Sequence, residues 1–474
     1  ECQSEHSMKV VLDVILDHIP EPIVYHNDDD DEADGQNEEE EEAFSMAATT
    51  VGYDPYLGRL CTGRIYTGSI SNASPVKVLP RDSTADEITE VTNVSGVFVN
   101  RGVQRTPLEP STAIAGDIVT LSGIPDGIAV GDTVTCGVNP IAYPIQTPPL
   151  APPTLSMDFG ANNGPLSGRE GTIVASSRIR DRLVSETDNN VTLTVTKSEL
   201  DAEKSVVYAR GELQLGILIE QMRREGFELT ISPPRIITTK CPDTGKEMEP
   251  YEEVTVDVDS EYSGTVVNQL TGPGRRAVLI SMSDGGESSS DGKTRLVFHV
   301  PSRGLLGFGP EIATATRGTA VVNHCFLENR PHAGNLGLAI EKGKLVSSDT
   351  GKASLYSLGS IAERGVLFIE PGELVYPGMV IGENSRQGDL EVNPVRGKQA
   401  TNIRTVNKDE KNYLPPPKRM SVEELIGYMN DDEIIEVTPQ SVRLRKAELD
   451  SGARQRAART RKKQLNAAKE ARGG

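Results

Sequence analysis

The sequence holds no tryptophan, and aromatic residues make up only 4% of its 474 positions. So few rings argue against a binding mode built on interleaved aromatic platforms, the usual way of stacking single-stranded bases. Five cysteines (Cys2, Cys61, Cys136, Cys241 and Cys325) form no Cys-x-x-Cys pair. Their scatter excludes a disulfide framework and a zinc ribbon, and suits a reducing compartment. No uninterrupted apolar run approaches the roughly 18–20 residues that span a bilayer, so no membrane association is expected. The six histidines give no His-Glu-x-x-His and no i, i+4 pair, and no Gly-x-Ser-x-Gly elbow occurs. Metal-dependent and serine-type hydrolysis therefore lose their signatures. No metal ion or cofactor is expected in this chain.

Phosphate loops fare no better. Between Gly286 and the Gly292-Lys293-Thr294 triplet stand five residues, two of them acidic, and a strand pattern follows. A nucleotide cradle needs four residues there and a helix afterwards, so that N–H groups face the phosphates. The segment reads as a hairpin loop. Asn407-Lys408-Asp409-Glu410 imitates a guanine-reading motif but ends in Glu and has no phosphate loop to accompany it.

What is present is charge, unevenly spread. The formal net charge is −20, yet residues 1–43 alone carry sixteen acidic residues and one lysine, while 452–474 carry eight Lys/Arg and one Glu. Screening over about 8–10 Å makes local charge decisive, so an acidic chain with a basic end can still bind RNA. Within 24–43, eleven of the fifteen residues from 28 to 42 are Asp or Glu. Such a run repels itself and is expected to be a disordered insert, either a solvated linker or an acidic docking segment.

A length of 474 residues implies three or four domains. Residues 8–19 place Val10, Val11, Val14, Ile15 and Leu16 at helical spacing, and Pro20 ends the pattern. From 44 to 147, short Val/Ile/Thr runs separated by Gly, Asn and Asp predict a small β-barrel, followed by a proline-dense spacer over 144–154. Residues 148–237 alternate as β-α-β-β-α-β, the ferredoxin-like pattern, and 250–330 repeat it. Residues 331–450 read as a β-rich module containing one helix, with Ser421 and Glu424 forming a capping box. The tail 451–474 is Ala/Arg/Lys-rich. The fold class is thus multidomain β and α+β: a barrel, two tandem sandwiches and a β-rich C-terminal domain.

The chemistry that accumulates is basic and polar in a glycine-containing context. Between 386 and 411 lie Arg386, Arg396, Lys398, Asn402, Arg404 and Lys408, with Gly397 permitting close backbone approach. Arginine forks and Asn amides suit phosphate oxygens and exposed bases, so this stretch is the candidate RNA-binding segment. An ordinary solvated loop is the competing reading.

Several segments together resemble the TypA/BipA translational GTPases: SGREGTIVASSRIRDRL, ARGELQLGILIEQMRREGFELTIS, PYEEVTVDV, HVPSRGLLGF, TNIRT and MNDDEIIEVTPQSVRLRK. The resemblance runs from about residue 8 to 450. GELQL with MRREGFEL is shared with elongation factor G, whereas MNDDEIIEVTP is specific to TypA/BipA. It implies that 1–23 is the last helix of a GTP-binding domain otherwise missing from these residues. The barrel would be domain II-like, the sandwiches domain III-like and V-like, and 331–450 the family-specific C-terminal domain. By the same resemblance the protein would be a monomer that binds the ribosomal factor site, contacts rRNA and tRNA rather than DNA, and acts in translation, ribosome assembly or stress. GTP and Mg²⁺ would belong to the full-length family protein. Arg386, Lys398, Asn402 and Arg404 match that domain's RNA-facing loop. The acidic insert and basic tail exceed the family pattern, which suggests an organelle, a chloroplast stroma before a mitochondrial matrix, with cytoplasm the alternative. An RNA-independent interaction protein using the acidic segment and a LepA-like elongation factor remain as other readings.

Overall fold

The computed structural model describes residues 5–18, 43–81, 91–102, 104–109, 112–125, 127–141, 143–147, 150–190, 192–199, 201–241, 245–284, 292–334, 342–397, 414–457 and 459–460. The chain divides into two compact units: one holds 1–150 with 185–191, and the other holds 151–184 with 192–474. The acidic insert and most of the basic tail lie outside the described residues.

The first unit opens with helix α1 (Glu5–His18), which exposes Val10, Val11, Leu12, Val14, Ile15 and Leu16. Ten strands follow: β1 (Ser45–Asp54), β2 (Gly58–Thr67), β3 (Ser69–Ser71), β4 (Pro75–Leu79), β5 (Thr92–Asn93), β6 (Gly96–Arg101), β7 (Gln104–Pro107), β8 (Thr112–Ile114), β9 (Ile118–Ser122) and β10 (Thr133–Cys136). Eight form one antiparallel sheet in the order β5-β4-β10-β1-β2-β9-β6-β7, and β3 pairs with β8. Strands β5 and β6 are consecutive pieces of one run that pairs β4 at its start and β9 at its end, so the sheet closes into a barrel. Alternation points Met46, Cys61, Ile65, Val78, Val97, Leu121 and Val134 into its core. Gly63 permits a close strand approach: a Cβ there would sit 2.0 Å from the Ala47 carbonyl oxygen. The expected spacer begins attached to this barrel. Thr135 and Thr133 hydroxyls accept from the N–H groups of Ile141 (3.1 Å) and Ile145 (2.8 Å).

The second unit begins with β11 (Leu155–Ala161), α2 (Ser176–Asn189), β12 (Thr194–Lys197), β13 (Ser205–Ala209), α3 (Glu212–Arg224) and β14 (Leu229–Ile231). The sheet order β12-β13-β11-β14 is antiparallel throughout, with β15 (Arg235–Ile236) pairing the start of β11. Helix α3 forms because Leu215, Leu218, Ile219 and Met222 recur at helical spacing and all bury against this sheet. A short strand β16 (Thr239–Lys240) leads to β17 (Glu247–Asp259), α4 (Ser263–Thr271), β18 (Val278–Asp284), β19 (Lys293–Pro301), α5 (Phe308–Ala315) and β20 (Val321–Pro331). Here β18-β19-β17-β20 repeat the same order, over a core of Val254, Val256, Leu296, Phe298, Phe308 and Ile312.

The C-terminal stretch folds as β21 (Lys342–Ser347), β22 (Gly351–Lys352), α6 (Leu355–Ala362), β23 (Gly365–Leu367), β24 (Leu374–Val375), β25 (Val380–Gln387), β26 (Leu390–Val392), α7 (Val422–Tyr428), β27 (Glu433–Val437) and β28 (Val442–Lys446). Four strands make a sheet in the order β23-β25-β21-β26, whose last pair is parallel, while β22 pairs β24. The Ser421–Glu424 capping box starts α7. The end of this stretch leaves its own sheet. Strands β27 and β28 extend the first sandwich, with Ile435 opposite Ile231, while α7 packs on α3. Ile435, Val437 and Leu444 join that sandwich's core, each burial being worth roughly 1.5–3 kcal/mol.

Candidate nucleic-acid interface

The expected basic stretch does not form one loop. Arg386 sits near the end of β25, and Gly388, at φ +89°, turns the chain into β26. The turn is held by Asn384, whose Nδ2 donates to the Gly388 carbonyl (2.8 Å) and whose Oδ1 accepts from the Arg386 N–H (3.2 Å). Only a left-handed turn redirects the strand this sharply, and glycine takes it without strain. Arg386 and Arg396 therefore stand on either side of β26. Lys398, Asn402, Arg404 and Lys408 lie outside the described residues.

Arg396 stands where that outlying segment departs, and its position is fixed by the N-terminus of α6. The Asn393 Oδ1 accepts from the N–H groups of Val395 (3.0 Å) and Arg396 (3.1 Å), while its Nδ2 donates to Asp349 (2.8 Å). The Ser357 hydroxyl donates to the Asn393 carbonyl, and the Ser354 hydroxyl to the Arg396 carbonyl at 2.5 Å. Ser354 also accepts from Ser357 N–H as the N-cap of α6. At the returning end, Leu414 packs on the module's core, the Lys418 N–H donates to the Leu367 carbonyl (2.8 Å), and Arg419 pairs Glu373 (2.5 Å) and Glu370 (3.2 Å). The described residues on both sides of 398–413 are thus held in place.

The cations at the departing foot are available. Among the described residues, Arg396 and Arg386 have no ion-pair or side-chain hydrogen-bond partner, and both are exposed. Lys352 belongs with them, although the sequence reading missed it. It is exposed on β22, between Gly351, which faces the Val395 side chain, and Ser354, which holds Arg396. Nothing local marks Lys352, because its neighbourhood with Arg396 arises from packing across more than forty residues. Such an arrangement can hold phosphate oxygens and orient a backbone. It offers no nucleophile or acid–base pair. The buried Cys61 thiol is pushed up to about 12 by burial, and no cluster of three or more His, Cys, Asp or Glu among the described residues could hold a metal ion.

A second set of charged residues ties the C-terminal module to the first sandwich. The hairpin of β27 and β28 is buried on both faces. Glu436 accepts from Arg445 Nε (2.7 Å) and from the Tyr376 hydroxyl (2.7 Å), and Arg445 also donates to Asn163 (2.5 Å). Glu170 accepts from Arg443, Thr438 and Ser441; burial alone would raise its carboxyl, but these donors hold it below the usual range. Lys446 meets Glu433 (3.1 Å), Asp432 (3.0 Å) and Asp389 (2.6 Å). Lys344, under the Tyr428 ring at 3.1 Å from its centroid, is pushed down to about 8 by burial despite Glu433 nearby. The 162–171 loop is latched in turn by Glu228, which accepts from Gly168 (2.7 Å), Glu170 (2.9 Å) and Gly171 (2.5 Å) N–H groups. These pairs join the first sandwich, the SGREG loop and the C-terminal module into one polar framework.

Comparison with known proteins follows the same division. Residues 342–451 match the TypA/BipA C-terminal domain, and 246–336 match the elongation factor G C-terminus. The large ribosomal subunit assembly factor BipA of Bacillus subtilis is 38% identical over 97% of this chain and 70% of its own length. Its namesake in Synechocystis is 37% identical, covering 93% of this chain and 68% of that protein. The Escherichia coli K12 factor of the same name is 37% identical over 96% and 70% respectively.

Proposed function

The chain belongs to the TypA/BipA family of translational GTPases, and on that premise we propose that it binds the large ribosomal subunit and serves its assembly. The carrying observation is the anchoring of Asn393–Arg396 and Leu414–Arg419 on either side of residues 398–413, with Arg396 and Lys352 exposed. In this reading the C-terminal module contacts rRNA and tRNA through Lys352, Arg386 and Arg396, together with Lys398, Asn402, Arg404 and Lys408. The barrel acts as the domain II-like part, and the two sandwiches act as the domain III-like and V-like parts. GTP and Mg²⁺ serve the family's nucleotide chemistry, and the present residues supply the ribosome-contacting body, acting as a monomer.

The test is binding of the full chain to purified large subunits at several salt concentrations. Each phosphate contact removed should weaken binding and lower the log–log salt slope by about 0.7–0.9. Arg396→Ala, Lys352→Ala and the double variant Lys398→Ala/Arg404→Ala are expected to do so. Binding and salt slope identical to the parent in all three would reduce the surface to a solvated rim and overturn the reading.

A further inference from the structure

A cleft unrelated to the C-terminal surface opens at the start of α2. It encloses about 600 Å³ and is lined by Thr172, Ile173, Val174, Ala175, Arg178, Asp181, Arg182 and Phe227. Its floor is apolar, with Phe227 buried between α3 and β14. Its wall is fixed rather than draped. The N–H groups of Thr172 (3.1 Å) and Ile173 (3.3 Å) both donate to the Gly226 carbonyl, and Glu228 N–H returns a bond to the Ile173 carbonyl (2.9 Å).

The polar groups divide by state of pairing. Arg182 is held by Glu225 through two hydrogen bonds (2.7 and 2.8 Å), which neutralise it and set its guanidinium plane. Arg178 and Asp181 are exposed and have no partner among the described residues, although three residues apart on a helix they share a face. A cleft with an apolar floor, a fixed guanidinium plane, one unspent cation and one unspent carboxylate fits few ligands. A simple anion would leave the floor unused and meet Asp181. An apolar side chain would strand both charges. A nucleotide uses all four features: its ring lies on apolar surface and the guanidinium plane, its phosphate meets Arg178, and a base with adjacent N–H donors satisfies a carboxylate. Guanine presents such a donor pair on its Watson–Crick edge, whereas adenine and the pyrimidines do not. The volume accommodates a base with its ribose.

We propose that the cleft bounded by Arg178, Asp181, Arg182 and Phe227 receives one unpaired guanine of a structured RNA. The reading rests on the chain acting at ribosomal RNA but involves residues of the first sandwich, none of them in the C-terminal module.

The experiment uses the full chain and RNA hairpins that share one stem and carry a single bulged G, a bulged A or an abasic site, read by fluorescence anisotropy. The bulged G is expected to bind about fivefold or more tighter than the abasic hairpin, in line with the worth of one stacked base. Asp181→Asn should erase the preference for G over A and leave abasic binding unchanged. Arg178→Ala should weaken all three alike, with circular dichroism confirming an intact fold. Equal affinity for G and abasic hairpins, or a G preference that survives Asp181→Asn, overturns the proposal. Arg396→Ala separates the two readings: it should weaken every hairpin while keeping the ratio of G to abasic. If no hairpin and no large subunit binds, both readings fall together; if subunits bind but G is not preferred, only this one falls.

Discussion

Replacing Arg445 by Met tests whether the buried charges of the C-terminal hairpin hold the second unit together. The substitution keeps much of the side-chain volume but removes the donor at 2.7 Å from Glu436, which is fully buried. Among the described residues, Glu436 would retain only the Tyr376 hydroxyl, and Asn163 would lose its donor. Breaking one side of a buried pair costs about 3–5 kcal/mol, because the remaining charge cannot regain water. At 1.4 kcal/mol per factor of ten, the opening equilibrium of β27–β28 should rise by roughly two to three and a half powers of ten. The double variant Arg445→Met/Glu436→Met removes both charges, and should recover most of that loss or exceed the parent. Hydrogen exchange read by mass spectrometry is the suitable assay, since it reports each segment separately and needs no two-state unfolding. Peptides covering 433–446 and 155–161 should lose protection in the single variant and regain it in the double, while barrel peptides over 45–67 stay unchanged. A single variant costing less than about 1 kcal/mol, or a double variant no better than the single, would refute the claim that this pair is a structural tie.

Three further outcomes follow from the titrating groups. Burial would raise the Glu228 carboxyl, but the N–H groups of Gly168, Gly171 and Glu170 hold it low, so its stabilisation is present above the normal Glu range and lost as pH falls through the depressed value. Glu228→Gln should therefore expose 162–171 to exchange at neutral pH, and a loop equally protected in both proteins would contradict the latch. Lys344, lowered to about 8, binds its proton less readily folded than unfolded, so stability of the second unit rises with pH between about 8 and its ordinary value near 10.5. Lys344→Met should flatten that part of the variant's own stability–pH curve relative to the parent's; superimposable slopes would count against it. The hydrogen bond to Glu252 raises His324, with Glu212 adding to the effect against desolvation, so its stabilisation is full below about 6.5 and fades as pH climbs through the raised value. Glu252→Gln should remove this pH dependence of exchange in β20, and an unchanged profile would show that the pair does not contribute.

Local pattern carried much of the architecture. Helix α3 is legible because Leu215, Leu218, Ile219 and Met222 recur at a helical period, and α7 because Ser421 and Glu424 stand three apart before an apolar run. The repeated β-α-β-β-α-β order could be read from alternation and glycine punctuation, and the segments from SGREG to MNDDEIIEVTP carried the family. Of the candidate site, the residue types were legible and the grouping was not. Arg386 and Arg396 looked like one loop because no local signal distinguishes a turn at Gly388, just after an eight-residue strand, from a continuous coil. Lys352 carried no signal at all.

The strands EIIEV and VRLRK mark where sequence stops deciding. Composition alone would leave the charged side chains of Glu433, Glu436, Arg445 and Lys446 in water. All four are instead almost wholly buried. The hairpin pairs its edge with β14, some two hundred residues earlier, and the 162–171 loop and Tyr376 bring hydrogen-bond partners to it. A charge enters an interior only when a partner is delivered to it. Glu170 reaches Thr438 across 268 residues of chain. Short-range periodicity determined which segments became helix or strand; which charges became structure depended on contacts that exist only after the second unit has closed.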